Sequence, residues 1–132
     1  TSIQKFCAKK KNYLKRLGLD YITDKRICFN QINVGPVAFS LMPDLPLPTQ
    51  RLLQKFGGSL VPLNKSWDIC REQIETSASE KILISSEDFI HVPPDRWKSI
   101  LAELPPSVDV RFIVYIRDMP SYLTAAINEQ NH

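Results

Sequence analysis

An arginine at the end of a short apolar run is the residue of this sequence best placed for anion chemistry. The run Phe112–Ile116 is typical of a buried strand, and Arg117 follows it directly, ahead of a turn that contains Asp118 and Pro120. Ligands of open parallel sheets bind beyond the carboxyl ends of the strands. The position therefore predicts a phosphate-binding guanidinium, or else a structural arginine that pairs with a carboxylate or caps the loop.

The elements that would position Arg117 alternate along the second half of the chain. Strands separated by helices of moderate length argue for a parallel sheet with right-handed crossovers. The predicted elements, in order, are a helix over Leu63–Thr76, a strand over Lys81–Ser85, a helix from Pro93-Pro94 to Leu104, a strand over Val110–Ile116 and a last helix from Pro120.

The first half opens with an apolar stripe at helical spacing that runs from Ile3 to Leu17, and Gly18 is a natural stop just beyond it. Two short strands, Leu19–Ile22 and Arg26–Phe29, and a buried helix or strand over Val34–Met42 are expected next. The three prolines that follow predict a loop without regular structure up to Thr49, either a substrate wall or lid, or a plain connector. These prolines are Pro43, Pro46 and Pro48.

Composition bounds the class of protein. The 132 residues are 43% hydrophobic and 23% charged, which is typical of one globular domain spanning 1–132. No apolar run approaches the roughly 20 residues of a membrane span. The three cysteines are widely spaced, with no C-x-x-C and no Cys/His cluster, so neither a disulfide framework nor a zinc site is expected. We expect the thiols to be structural and the protein to lie in a reducing, cytoplasmic compartment.

Charge is concentrated at the N-terminus, where six cations precede the first acidic residue, Asp20. They are Lys5, Lys9, Lys10, Lys11, Lys15 and Arg16. Such a helix could face a nucleotide, an acidic glycan or a nucleic acid, or simply be a solvated face. Few aromatic residues are interleaved with the cations and no nucleic-acid motif is present, so nucleic acid is not an expected partner.

Three stretches together resemble the bacterial sulfotransferases. Thr1-Ser2-Ile3-Gln4 is similar to the tail of the motif K-x-G-T-T-S, the phosphosulfate-binding loop of that family. The segments LISSEDF, Leu83–Phe89, and VYIRDMPSYLTAAINEQ, Val114–Gln130, resemble strand-to-helix segments of sulfotransferase-like proteins associated with surface polysaccharides. The resemblance implies an α/β fold with a three-layer parallel sheet of the P-loop type, incomplete here, and transfer of a sulfuryl group from 3′-phosphoadenosine-5′-phosphosulfate.

The resemblance also implies roles for individual residues. Thr1 and Ser2 would bind the 5′-phosphosulfate, where a loop that opens a helix presents unpaired N–H groups, although ordinary capping would explain them as well. Arg117 would bind the 3′-phosphate of the donor, since a guanidinium stays charged and binds oxygens bidentately. The family usually has a serine eight residues later, where this chain has Ala125. No metal is expected.

Sulfuryl transfer needs a base for the acceptor hydroxyl or amine, and the acceptor is expected to be a carbohydrate. Glu87 is the predicted base, because it follows a buried strand at the expected carboxyl edge of the sheet. Asp88 is the second choice and His91 a weaker third. Solvation of the loop, or capping of the next helix, would explain these side chains without chemistry.

The first residues already resemble a helix in progress, so we expect a fragment that lacks the strand, lysine and glycine before Thr1. Without that lysine the fragment should be nearly inactive, and with unpaired strand edges it should be prone to aggregate or only partly folded. Ala125 leaves open a non-catalytic nucleotide- or glycan-binding relative. A nucleotide kinase-like P-loop protein is a third interpretation, although the chain contains no G-K-[ST] sequence.

Overall fold

A computed structural model describes residues 2–45, 47–56, 58–115 and 127–128 of the chain. Within these ranges the protein is mixed α/β, with a two-stranded parallel sheet among helices. The helices are α1 (Ser2–Lys9), α2 (Lys11–Arg16), α3 (Gly35–Ser40), α4 (Leu47–Phe56), α5 (Ser66–Thr76) and α6 (Pro94–Leu101). The strands are β1 (Leu19–Tyr21) and β2 (Lys81–Leu83), and 3-10 helices cover Leu63–Lys65 and Glu87–His91.

The two strands pair in parallel, as the alternation of helices and strands predicts. Leu19 is opposite Lys81 and Tyr21 is opposite Leu83. The ladder continues past the strand ends, where the amide of Ile22 donates to the carbonyl of Leu83 at 3.2 Å. The strands predicted around 19–22 and 81–85 are therefore confirmed, each over three residues.

Helices cover both faces of this small sheet. Successive side chains of a strand point to opposite faces, so Tyr21 and Ile22 are directed to different layers. Ile22 belongs to a core formed with residues of α3, α5 and α6, whereas the Tyr21 face is the one that α1 covers through Gln4 and Ser85. The core consists of Ile22, Ile27, Cys28, Val34, Val37, Ala38, Leu41, Trp67, Cys70, Val92 and Ile100.

The N-terminal apolar stripe forms two short helices rather than one, with a break at Lys10. Gly18 ends α2 in the left-handed region at φ +82°, a conformation that glycine adopts without a steric penalty. Its carbonyl then accepts a hydrogen bond from the amide of Lys81 at 3.0 Å. The helix stop predicted at Gly18 is confirmed, and it delivers the chain directly into β1.

The central and following helices also agree with the periodicity. The segment predicted as a buried helix or strand contains α3, whose residues Gly35–Phe39 are all buried. The helix predicted over Leu63–Thr76 is present as a 3-10 turn and α5, and the helix predicted to start at Pro93-Pro94 is α6. Proline is tolerated in the first turn because its missing N–H has no partner there.

Three expectations about regular structure are wrong. Residues 110–115 of the predicted strand Val110–Ile116 form no strand, and the side chains from Phe112 to Tyr115 are 61–76% exposed. Arg26–Phe29 is no strand either, because it contributes a single bridge between Phe29 and Asn33. The proline-rich loop ends early, since α4 begins at Leu47 with Pro48 in its first turn.

The buried core predicts a large contrast between two isoleucines. Ile27 is fully buried, whereas Ile90 is 79% exposed. Ile27→Ala should lower the free energy of unfolding by about 2–5 kcal/mol, because it removes buried methyl groups and leaves a cavity. Ile90→Ala, the matched control, should change it by less than about 0.5 kcal/mol. Urea unfolding of both variants measures this, and equal losses would contradict the burial of Ile27.

Candidate functional site

A hydrogen bond ties the first helix to the end of the second strand. The side-chain amide of Gln4 in the first turn of α1 donates to the hydroxyl of Ser85 at 3.1 Å. The Ser85 carbonyl in turn accepts the amide of Val34 at 3.0 Å. The N-terminal end of α1 and the segment that precedes α3 therefore both meet the chain just beyond the carboxyl end of β2.

The chain turns sharply after Ser85 and presents two carboxylates. Ser86, with extended backbone, caps the 3-10 helix Glu87–His91 by accepting the amide of Asp88 at 3.1 Å. The Ser86 hydroxyl also lies 3.3 Å from Oδ2 of Asp88 and can donate to it. Glu87 is exposed, whereas Asp88 is partly buried. The cap fixes the position of Asp88 relative to the strand.

Asp88 lines an open cavity of about 350 Å³ between this turn and the proline-rich segment. One wall comes from the residues that precede and begin α4, and the other from the 3-10 helix and the start of α6. The cavity is lined by Met42, Pro43, Asp44, Thr49, Asp88, His91 and Pro93. The segment predicted as either a substrate wall or a connector thus forms one side of this cavity.

Burial of the Asp88 side chain affects its protonation. It raises the pKa of Asp88 above its usual value, and the hydrogen bond from Ser86 and the nearby His91 offset only part of this effect. A carboxyl with a raised pKa is a stronger base when ionised than an exposed one. The cavity therefore contains one partly buried carboxylate, one exposed carboxylate, Asp44, and the exposed imidazole of His91.

The residues predicted from the sequence fall in three groups. Thr1, Arg117 and Ala125 lie outside the described residues. Ser2 begins α1, which places its backbone at the helix end near Ser85. Glu87, Asp88 and His91 lie together on one 3-10 helix, and two of them, Asp88 and His91, line the cavity.

Sequence reasoning missed Asp44 and Thr49 as cavity residues. The signal that bears on them is the cluster of prolines around them, which indicates an exposed wall. Nothing in the local sequence indicates that this wall faces Asp88, because the two segments are more than 35 residues apart and are brought together only by the tertiary fold.

A second cavity of about 320 Å³, between α2, β1 and α5, has polar groups that satisfy one another. Lys11 donates to the hydroxyl of Thr23 at 2.8 Å. The Gln73 amide donates to Asp24 at 2.6 Å, and Ser77 donates to Asp20 at 3.2 Å. These bonds link three elements across the cavity, so the polar groups that make them stabilise the fold.

The thiols are not arranged for chemistry. All three cysteines are free and buried. Burial raises the pKa of Cys28 and of Cys70 to about 12, so both remain protonated at neutral pH and are poor nucleophiles. Within the described ranges, His, Cys, Asp and Glu side chains form no group of three that could hold a metal ion.

Among the helices that the structure describes, none has the length and apolar character needed to cross a bilayer. Comparison of the chain with known protein families, curated proteins and solved structures finds no match. Inferences about function therefore depend on the geometry of the site and on the sequence resemblance.

Two aspartates predict opposite effects on stability at neutral pH. The pKa of Asp24 is lowered, chiefly by hydrogen bonds from Arg26, whose Nη2 lies 2.7 Å from Oδ2. Asp24 therefore stabilises the fold above its unfolded pKa of about 3.8, and this stabilisation is lost as the pH falls through the lower folded pKa. Asp88 has a raised folded pKa, so its ionised form destabilises the fold, and protonation relieves this below the unfolded value.

At pH 7, Asp24→Asn should therefore lower the free energy of unfolding and Asp88→Asn should raise it. The Asp88→Asn difference should shrink as the pH falls from above the folded pKa to about 3.8, and the Asp24→Asn difference should shrink below about 3.8. Urea unfolding between about pH 3 and 7 measures both. A stabilisation by Asp88→Asn that grew on acidification would contradict the raised pKa.

Proposed function

We propose that this chain is part of a sulfotransferase that moves a sulfuryl group from 3′-phosphoadenosine-5′-phosphosulfate to a hydroxyl or amine of a carbohydrate acceptor. The observation that carries the proposal is the hydrogen bond between Gln4 and Ser85. It joins the helix whose first residues resemble a phosphosulfate-binding loop to the strand end that carries the candidate bases. Donor and acceptor sites must adjoin in this way for in-line transfer.

The donor side of the proposed site is the N-terminal end of α1. In this proposal the N–H groups of the first turn and the positive end of the helix dipole would favour a phosphosulfate there. Thr1 and Ser2 would add hydroxyl donors, and Arg117 would bind the 3′-phosphate. The mixed α/β fold with a parallel strand pair supports a three-layer sheet of the P-loop sulfotransferase type.

The acceptor side is the cavity beside Asp88. A base must lie within hydrogen-bond reach of the proton that it removes. Asp88 lines the cavity and has a raised pKa, which supports it as the base. Glu87 is the base that the sequence predicts, and it is exposed one residue earlier on the same turn. No metal takes part in the proposed step.

A second candidate function is a non-catalytic nucleotide- or glycan-binding protein of the same fold. Ala125 favours it, because the family pattern has a serine there as a second ligand for the 3′-phosphate. Donor binding without transfer would be the result that distinguishes this function from the enzyme.

Donor binding is tested by calorimetric titration with adenosine-3′,5′-bisphosphate. We expect binding that Arg117→Ala weakens by about 10- to 100-fold, since hydrogen bonds between charged groups contribute about 1.5–3 kcal/mol. Arg111→Ala is the control, because that side chain is 85% exposed and pairs only locally with Asp109. Equal binding by both variants would remove Arg117 from the donor site, and no binding by a folded protein would overturn the proposal.

The base is tested by transfer of labelled sulfate to a panel of glycans, using the protein extended upstream through the lysine that the proposal requires. Asp88→Asn should lower kcat by about 10²- to 10⁴-fold, as expected on loss of a general base. Glu87→Gln should have a much smaller effect, and Asp109→Asn none. The reverse order would assign the base to Glu87, and full activity in both variants would exclude both carboxylates.

A further inference from the structure

We infer that the outer side of α1 and α2 is a docking surface for an anionic lipid bilayer. This inference goes beyond the proposed function and does not depend on it. Two separate observations carry it: a stripe of exposed apolar side chains, and a set of exposed cations that borders the stripe. A surface of this kind is typical of helices that lie in the plane of a membrane interface.

The apolar stripe consists of Ile3, Phe6, Tyr13 and Leu17. Their side chains are 44%, 56%, 52% and 66% exposed, respectively. They follow one another at intervals of three, seven and four residues, separations that place side chains on one side of a helix. The periodic apolar pattern of the N-terminal segment is therefore only partly used by the core, and these four members of it face water.

The two helices present this stripe as one surface in spite of the break at Lys10. The amide of Lys10 donates to the carbonyl of Phe6, and the amide of Leu14 donates to the carbonyl of Lys10, both at 2.9 Å. Helical hydrogen bonding therefore continues across the break. Gln4 and Cys7 are buried on the inner side of α1, so the stripe faces outward over a length of about 20 Å.

Cations border the stripe. Lys5, Lys9, Lys10 and Arg16 are all exposed, and Cζ of Arg16 lies 5.9 Å from the centre of the Tyr13 ring. None of the four cations forms an ion pair with a carboxylate in the described part of the chain. The sequences of α1 and α2 contain no acidic residue. The positive charge of this side is therefore available to an anionic partner.

The other two lysines of these helices belong to the inner side. Lys11 and Lys15 line the second cavity together with Asp20 and Asp24, and Lys11 donates to Thr23. Their charges are thus partly balanced by carboxylates of the same cavity. The docking surface consequently depends on the four outer cations alone.

The combination of charge and apolar surface favours a lipid bilayer over other anionic partners. A polysulfated glycan or a nucleic acid would engage chiefly the cations and leave the apolar stripe in water. A bilayer interface takes both, since anionic headgroups attract the cations while the apolar side chains enter the boundary of the acyl chains. A second copy of this chain could cover the stripe, but it would bring like charges together.

Flotation of the protein with lipid vesicles tests the inference, because aggregated protein sediments and only vesicle-bound protein rises. Vesicles of phosphatidylcholine alone are compared with vesicles in which roughly a third of the lipid is phosphatidylserine. The apparent affinity should be at least about tenfold higher for the anionic vesicles and should fall as salt is added. No flotation with anionic vesicles, or equal flotation with both kinds, would overturn the inference.

Two double variants separate the apolar contribution from the charge. Phe6→Ala with Leu17→Ala should weaken binding to anionic vesicles by at least about tenfold, because less apolar surface leaves water. Lys5→Gln with Lys9→Gln should weaken it by about 25-fold, at about fivefold per cation. All four side chains are exposed, so the fold should tolerate both changes. Unchanged binding in either double variant would overturn the inference.

Matched controls lie on other surfaces of the protein. Ile113→Ala removes a side chain that is 76% exposed, and Lys98→Gln removes an exposed cation of α6. Both should float like the unchanged protein. Loss of flotation in Ile113→Ala, with normal flotation of the Phe6 and Leu17 variant, would move the lipid contact to residues 112–115 and overturn the inference.

Dextran sulfate distinguishes a soluble polyanion from a bilayer. Its binding should depend on Lys5 and Lys9 and be the same with or without the Phe6 and Leu17 changes, because it has no acyl region for apolar side chains. Tight binding of dextran sulfate by a protein that does not float with anionic vesicles would assign this surface to an acidic glycan and overturn the inference.

Discussion

The parallel pairing of β1 with β2 is the constraint on which the rest of the structure depends. It joins residues about 60 positions apart, and parallel strands need a long crossover between them. The chain between the two strands makes that crossover, and buried side chains of α3 and α5 cover one face of the strand pair. The pairing begins where Gly18 adopts a left-handed conformation and accepts the amide of Lys81. Loss of this register would therefore remove the core and the site together.

The candidate site is a direct consequence of that register. Because β2 runs parallel to β1 and ends at Leu83, its continuation through Ser85 emerges beside the first turn of α1. The Ser86 cap then turns the chain, which places Asp88 on the cavity side and leaves Glu87 exposed. Adjacent positions on one turn therefore carry an exposed carboxylate, Glu87, and a partly buried one, Asp88, whose pKa is raised by burial. The raised pKa means that the ionised form of Asp88 lowers the stability of the fold.

Local patterns predicted the elements whose signals are local. The stop at Gly18, the apolar strands around 19–22 and 81–85, and the helix started by Pro94 depend on residues within one or two turns of the chain.

The predicted strand Val110–Ile116 shows what such patterns leave out, since β-propensity describes a side chain that packs in a sheet rather than a backbone preference. Its described residues have no strand beside them, although Phe112 contacts Trp97 with the ring centroids 5.1 Å apart. The sequence did not predict the cavity either, because Asp44 and Asp88 line one space only through the packing of α3 against the 3-10 helix after β2. The expected tendency to aggregate stays a prediction, and four consecutive exposed apolar side chains, 112–115, are consistent with it.

Charge is divided between the two sides of the proposed site in a way that suits its two proposed ligands. The basic residues cluster on α1 and α2, with exposed lysines such as Lys5 and Lys9, while carboxylates line the cavity beyond β2. The proposed donor, with several phosphate and sulfate charges, would be attracted to the first side by a field that acts over about 10 Å at ordinary ionic strength. In the proposed function, Asp44 and Asp88 would repel such a donor from the cavity. The separation of charge and the hydrogen bond between Gln4 and Ser85 are two separate observations that agree with the proposed arrangement of donor and acceptor.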